Sequence, residues 1–416
     1  MFLKHIHLKN FRGIQNFSLS FQEDDDVRKW TMILGENGTG KTNILRAIAL
    51  VCAGSNALGE LLGSLEGWIQ NDKPYCLIEA ILQNEDGEER EISLKIARGD
   101  NLSTVMQQNN KSLELLDNAL KYASRNYFLL GYGAYRKLED GRSHRKSRFF
   151  ENARARRVAT LFNRDASLNH LEDWVIDLDY RLGEEGLKIV QKAINEFLPN
   201  VRFSHIDKKQ KQLLFETHNG LVPFELLSDG YQNMAGWLGD LLYHITSTFE
   251  DYKDPLKTRG LLLIDELELH LHPNWQRRLI NYINKIIPNI QIITTTHSPL
   301  TAQQAPENAL WILRKAEDKK IECTPFVGDP QKLDIEQFLT TPAFGLSTTE
   351  SLEVEQKKAE YERLKAKKNK SAEDQSQLEE VTSYLEEIPD RSLETEADKR
   401  RLELMKKIEK HLSQQR

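Results

Sequence analysis

The strongest chemical signal in the 416-residue chain is Gly35-Glu36-Asn37-Gly38-Thr39-Gly40-Lys41-Thr42, with Asn43 next. Its glycines let successive backbone N–H groups curve round an anion, and a helix opening after Lys41-Thr42 adds unpaired donors and a positive dipole end. Lys41 can then reach the β and γ phosphates of a nucleotide, while the Thr42 hydroxyl can bind Mg2+. Asp265 and Glu266 end the apolar run 261–264. Asp265 suits a place beside Mg2+ through its water shell, and Glu266 suits the orientation and polarisation of an attacking water. His297 follows a second run at 290–296, where it can hydrogen-bond a terminal phosphate. Ser228 and Gly230, ahead of another helical pattern, make a second small anion-binding nest.

These residues need a scaffold. The continuous apolar run at 261–264 and the mainly apolar runs at 31–34 and 290–293 fit strands buried on both faces of a parallel sheet, with ligand-binding residues at their carboxyl ends. Ile6, Leu8 and Phe11, then Ile14, Phe17, Leu19 and Phe21, alternate as two strands round the turn Asn10-Phe11-Arg12-Gly13. Arg12 in that turn can point toward the phosphate loop. Segments 75–82 and 91–96, joined through 84–87, read as a hairpin, which places an antiparallel sheet beside the nucleotide core. The strand at 127–130 runs into Gly131-Tyr132-Gly133-Ala134-Tyr135-Arg136, which is either a ligand-lining turn or a tight core crossing. Residues 100–113 are polar and give no pattern. Helical spacing returns at 168–178 and 187–198, followed by short strands near 203–206, 213–215 and 222–224. No heptad tract lies between 43 and 228, so a long coiled-coil arm is not expected.

A formal net charge of −6 with 29% charged residues indicates solubility. Cys52, Cys76 and Cys323 are too scattered for a disulfide framework or a zinc cluster. No signal peptide or membrane-spanning run is seen, and the expectation is a cytoplasmic protein without membrane contact. Between Arg136 and Arg157 nine Lys or Arg residues face three acids. This stretch is either a phosphate-backbone contact surface, using Arg142, Arg145, Arg148, Arg154, Arg156 and Arg157, or a solvated loop. Toward the C-terminus, 351–367, 371–387 and 395–413 read as helices, with caps at Ser371-x-x-Asp374 and Thr395-x-x-Asp398. Their narrow apolar stripes are covered either by the protein's own body or by another subunit.

Taken together and in this order, the phosphate loop, Leu227-Ser228-Asp229-Gly230-Tyr231-Gln232, Asp265-Glu266 and His297 resemble an ABC-type ATPase of the RecF/SMC-like group. The opening Ile6-His7-Leu8-Lys9-Asn10-Phe11-Arg12-Gly13 adds to the likeness, which covers about residues 1–325. It implies an α/β fold: an ABC-type P-loop ATPase head at 1–330 with a mixed/antiparallel sheet lobe and a helical lobe at about 150–240. A C-terminal helical extension at 331–416 would serve oligomer or partner contacts. It also implies ATP and Mg2+ as ligands, held by Arg12, by the loop from Gly35 to Asn43, and by Thr42 and Asp265 at the metal. Lys41, Glu266 and His297 take the catalytic roles. Two heads close as an ATP sandwich, with Ser228 and Gly230 of one completing the site of the other, in a dimer or a higher oligomer.

The chain departs from that pattern at Asp229-Gly230-Tyr231, where the family commonly has two glycines, and it lacks an evident glutamine loop, whose place the 131–136 turn can take. The stretch Leu267-Glu268-Leu269-His270-Leu271-His272-Pro273 resembles the overcoming-lysogenisation-defect nucleases, yet no acidic nuclease core follows His297, so autonomous cleavage is not expected. Segment 334–346 and the helices after it resemble the stand-alone ATPases of bacterial anti-phage operons, the Septu and retron-associated group. In those systems a separate protein, an HNH nuclease in Septu, supplies the effector. The expectation is therefore a slowly hydrolysing ATP switch that scaffolds and regulates a nuclease. The alternative is a RecF-like repair ATPase that binds DNA directly.

Overall fold

Six strands form the sheet on which the chemistry is mounted. In the computed structural model, which describes residues 1–388 except 25, 85–86, 124–126, 139–149, 199, 211, 251–253, 270, 317–319 and 369, the chain divides into two units, Met1–Phe344 and Gly345–Arg416. The expected helix at 395–413, with its cap, and Arg142, Arg145 and Arg148 lie outside the described residues.

The first unit opens with β1 (Phe2–Phe11), β2 (Ile14–Ser20), β3 (Trp30–Gly35) and helix α1 (Lys41–Cys52). It continues through β4 (Tyr75–Gln83), β5 (Glu89–Ala97), β6 (Leu129–Tyr132), α2 (Leu171–Leu182), α3 (Glu184–Phe197) and α4 (Asp229–Thr248). The remaining elements are β7 (Gly260–Ile264), α5 (Pro273–Ile286), β8 (Ile290–Thr296), β9 (Leu310–Lys315) and β10 (Ile321–Pro325). Strand order in the large sheet is β10-β9-β3-β8-β7-β6, parallel throughout except for β10. An antiparallel sheet of order β2-β1-β4-β5 lies beside it, tied to it by the buried Gln291, whose Nε2 donates to Leu3 O at 2.9 Å while its Oε1 accepts from Leu3 N at 2.7 Å.

Each central strand is buried on both faces, as its mainly apolar run requires. Along β3, Met32 and Leu34 join one core and Ile33 the other; along β7, Leu262 and Ile264 oppose Leu261 and Leu263 in the same way. One core joins the antiparallel sheet, α1 and the lower face of the large sheet. The other fills the space between that sheet and a lobe of α2, α3, α4 and a three-stranded sheet at 202–207, 212–217 and 220–223. The stretch that gave no pattern contains two helices, Leu102–Gln108 and Asn110–Ala123, whose Val105, Leu113, Leu116 and Ala119 are buried. Their apolar stripe is thinned by polar neighbours.

Residues 331–344 belong to the first unit, where Phe338 packs against Phe326 and Phe344. In the second unit α6 (Leu352–Ala366) and α7 (Ala372–Glu386) are joined by a Lys367–Asp374 ion pair of 2.6 Å. Ser371 and Asp374 make the reciprocal cap expected of them. Leu364 and Val381 are buried in this unit.

The 131–136 segment is a close core crossing. A Cβ built on Gly133 would lie 2.0 Å from the carbonyl oxygen of Thr160, and Gly133 N donates to Thr160 Oγ1 at 3.0 Å. Because the obstacle is backbone, no rotamer can relieve it. Gly133→Ala should therefore cost about 1–3 kcal/mol or more of stability, seen as a lower urea midpoint at unchanged slope; an unshifted midpoint would show that the crossing is not tight.

Candidate nucleotide site

The phosphate loop joins β3 to α1. Gly38 and Gly40 adopt positive φ values of 79° and 103°, which a side chain would strain. Gly40 is the N-cap of α1; no side chain caps this helix and no acid occupies its first turn. Its first N–H groups and positive dipole end are thus offered to an anion. Lys41, only 7% exposed, donates through Nζ to the carbonyl oxygens of Gly35 and Glu36. Burial lowers its pKa, and the surrounding carboxylates Asp265, Glu266, Glu268 and Glu36 oppose that shift.

Sheet order brings the ends of β3, β8 and β7 together, so residues more than two hundred positions apart become neighbours. Thr42 Oγ1 donates to Asp265 Oδ2 at 2.6 Å, and Thr295 Oγ1 donates to Asp265 Oδ1 at 2.6 Å. Asp265 is buried, with both oxygens held by hydroxyls. Glu266 follows in the left-handed region at φ 50°, its N–H donating to Thr295 Oγ1 at 2.8 Å. A non-glycine residue there stores on the order of 1 kcal/mol of strain. Glu266 Oε1 lies 3.9 Å from Nδ1 of His297, and both side chains reach solvent, at 26% and 48% exposure.

Two further residues complete this corner, one in the 267–273 stretch and one at the end of the 131–136 turn, neither of which the sequence had given a role in the site. Glu268, 6% exposed, accepts the N–H groups of His297 and Ser298 on Oε1 at 2.9 and 3.0 Å, and that oxygen lies 3.8 Å from His297 Nδ1. Three acids in the four residues 265–268 of an otherwise apolar stretch were the available signal. Arg136 donates through Nη2 to the carbonyl oxygens of Asp265 and Glu266, both at 2.7 Å. Burial brings its pKa down to about 10, still far above neutral pH.

Arg12, in its strand turn, is placed as expected beside the loop. Its Nη1 donates to Asn43 Oδ1 at 3.2 Å, and its guanidinium lies 4.1 Å above the Trp68 ring. Burial, then the charge of Arg46, lowers its pKa to about 10, and among the described residues its buried Nε has no hydrogen-bond partner. This inward-facing cation with a spare donor fits an anionic ligand. Thr42 and Asp265 supply the hard oxygens that a magnesium ion takes. Among the described residues no group of three or more His, Cys, Asp or Glu side chains is placed to hold a metal, so an ion here would also need phosphate and water oxygens.

Ser228 and Gly230 belong to a different cluster. Ser228 is exposed at the N-cap of α4, and the Gly230 Cα faces Trp275 of α5, whose ring meets Tyr231 edge-on at 5.1 Å. Among the described residues no hydrogen bond or ring contact joins them to the phosphate loop of the same chain. Of the basic stretch, Arg154 donates to the carbonyls of Ala53, Cys52 and Tyr127, and Arg157 to Thr248 Oγ1 while covering Phe128. Both are structural staples, whereas Arg156 is exposed. Among the described residues no helix is long and apolar enough to cross a membrane.

Just before Ser228, Glu225 shares a hydrogen bond with Glu172 near the start of α2. Burial, then the charge and hydrogen bond of Glu225, pushes the Glu172 carboxyl up to about 7 from 4.5. A raised carboxyl pKa means that the shared proton stabilises fully below about 4.5 and that this stability is lost as pH rises through about 7. Glu172→Gln should thus gain on the order of 1 kcal/mol over the parent at pH 8 and less at pH 5, read from paired thermal melts. Equal gains at both pH values would contradict the shared proton.

Three relatives are similar to this chain in different measure. "Septu protein PtuA" of Bacillus mycoides (strain KBAB4) is 27% identical over 356 residues, 84% of this chain and 45% of that protein. "Retron Vc95 probable ATPase" of Vibrio cholerae serotype O1 biovar El Tor is 20% identical over 75% of this chain and 73% of its own. "DNA replication and repair protein RecF" of Rickettsia akari (strain Hartford) is 34% identical over 101 residues, 24% of this chain and 26% of its own. The chain spans less than half the length of the Septu relative. A family model described as "AAA domain, putative AbiEii toxin, Type IV TA system" matches residues 31–302, the span from the strand before the phosphate loop to just past His297, and the chain belongs to that AAA-domain family.

Proposed function

We propose that the protein binds ATP with Mg2+ in the cradle from Gly35 to Asn43, hydrolyses it slowly, and uses the cycle to switch a separate nuclease effector in anti-phage defence. The observation that carries the ATPase part is the junction of three strand ends, where the loop, Asp265, Glu266 and His297 meet across hydrogen bonds as short as 2.6 Å. The likeness to Septu and retron ATPases supports the defence part.

In this reading Lys41 exchanges the carbonyls of Gly35 and Glu36 for phosphate oxygens, and Arg12 offers its free Nε to the same charge. Magnesium, held by Thr42 and Asp265, would neutralise charge on the phosphates. Glu266 orients and polarises the attacking water. His297 meets the terminal phosphate, with Glu268 fixing its main chain. Ser228, exposed at the head of α4, and Gly230, half-buried beside it, suit a contact with ATP held by a second copy. ATP binding and pairing would then strengthen one another. The second unit and residues 331–344 are the proposed contact for an oligomer or for an HNH-type nuclease.

Direct DNA loading in the manner of RecF is the second reading, supported by the similarity over 101 residues. It must draw on Arg156 and residues outside the description, because Arg154 and Arg157 are engaged inside the fold.

Glu266→Gln should keep ATP affinity, lose at least 100-fold in turnover, and accumulate as an ATP-bound dimer. Lys41→Ala should instead weaken ATP binding about 10- to 100-fold, the worth of a charge-assisted contact. Equilibrium nucleotide binding, phosphate release and light scattering read all three. Parent-level turnover by Glu266→Gln would refute its role. Capture of a nuclease by the full chain, lost on deleting 345–416, is expected for the effector reading; recovery of DNA alone favours the RecF-like one.

A further inference from the structure

The segment from Tyr132 to Leu138 lies between the strand that carries Asp265-Glu266 and the helix headed by Ser228, and it bonds to both. On the strand side Tyr132 pairs with Ile264, and Asp265 N donates to Tyr132 O at 2.8 Å. On the helix side Tyr132 OH donates to Asp240 Oδ2 at 2.6 Å, and its ring meets Trp237 edge-on at 5.9 Å. Leu138 presses on Gly236 so closely that a Cβ there would lie 2.2 Å from Leu138 Cδ2.

Arg136 sits at the middle of this bridge. Its Nη2 donates to the carbonyls of Asp265 and Glu266, while its guanidinium lies 5.5 Å from the Trp237 ring centroid. A guanidinium placed simply to neutralise three nearby acids would fork onto a carboxylate. This one bonds instead to the main chain on both sides of Glu266, the residue held at φ 50°. Those two carbonyls bracket the φ and ψ that aim the Glu266 side chain. Trp237 stands about 13 Å along an unbroken helix from Ser228, so a displacement at the helix head reaches the guanidinium through a rigid element.

We propose that Arg136 is a positioning residue, holding the Glu266 main chain in its left-handed turn and tying it through Trp237 to the helix headed by Ser228. In this way the helix that would meet a second copy's nucleotide also sets the aim of its own chain's Glu266. The inference rests on the reading of Glu266 as the residue that directs water. It assigns this link to an arginine and two carbonyls, in the 131–136 turn that can take the place of a glutamine loop.

The test uses the full chain and five variants, Arg136→Met, Arg136→Lys, Trp237→Leu, the double variant of Arg136→Met with Trp237→Leu, and Glu266→Gln, with kcat and KM for ATP and the melting temperature measured for each. Arg136→Met should lose about 10- to 100-fold in kcat, the scale of a misaimed catalytic group, with KM and melting temperature little changed. Arg136→Lys, which keeps a cationic donor, should recover part of that loss. Adding Trp237→Leu to Arg136→Met should cost less than the product of the two separate losses, since both act on one link. Parent-level kcat in Arg136→Met beside an inactive Glu266→Gln would overturn this proposal alone. So would a kcat loss that follows the folded fraction, or strictly multiplicative losses in the double variant. Parent-level turnover in Glu266→Gln would remove the reading beneath it.

Discussion

The carboxylate of Asp265 is the point on which the site depends. One oxygen accepts from Thr42 at the start of α1 and the other from Thr295 near the end of β8, while Asp265 itself ends β7. Two strands of the large sheet and the first helix are thereby locked at one place. Thr295 then passes the constraint on, because the same hydroxyl accepts from Glu266 N and fixes the start of the turn that aims Glu266. Buried and doubly bonded, this acid has both of its oxygens satisfied inside the fold.

Around that point the protein uses main-chain groups more than side-chain pairs. Arg136 bonds to two carbonyls, Glu268 accepts two N–H groups, and Lys41 rests on two loop carbonyls. Such contacts set backbone direction, which is what the proposed phosphate cradle and catalytic turn require. The strain at Glu266 is small beside the hydrogen bonds that hold it. Removing them, rather than removing charge, is what would let the turn relax.

Much of this was legible in the amino-acid order, for identifiable reasons. The phosphate loop depends on a local spacing, and the runs at 261–264 and 290–293 announce strands buried on both faces without reference to any distant residue. Long-range partners were not legible. Arg12 lies on Trp68, Gly133 is explained by Thr160, and Arg136 acts on carbonyls at 265 and 266; nothing within a local window of sequence shows these pairings. The arginines of 154–157 show the same limit. Charge alone could not separate an exposed Arg156 from an Arg154 turned onto three internal carbonyls. The helices at 102–123 were missed because a thin apolar stripe on a polar helix resembles a loop when read by composition.

The most direct measurement is a structure of the full chain with Mg2+ and a non-hydrolysable ATP analogue. It should show phosphates against the main chain from Gly38 to Thr42, with Lys41 Nζ withdrawn from the carbonyls of Gly35 and Glu36. The metal should lie beside Thr42 and Asp265, with Glu266 facing the terminal phosphate. A nucleotide bound elsewhere while Lys41 keeps its present carbonyl contacts would contradict the assignment of this junction as the ATP site.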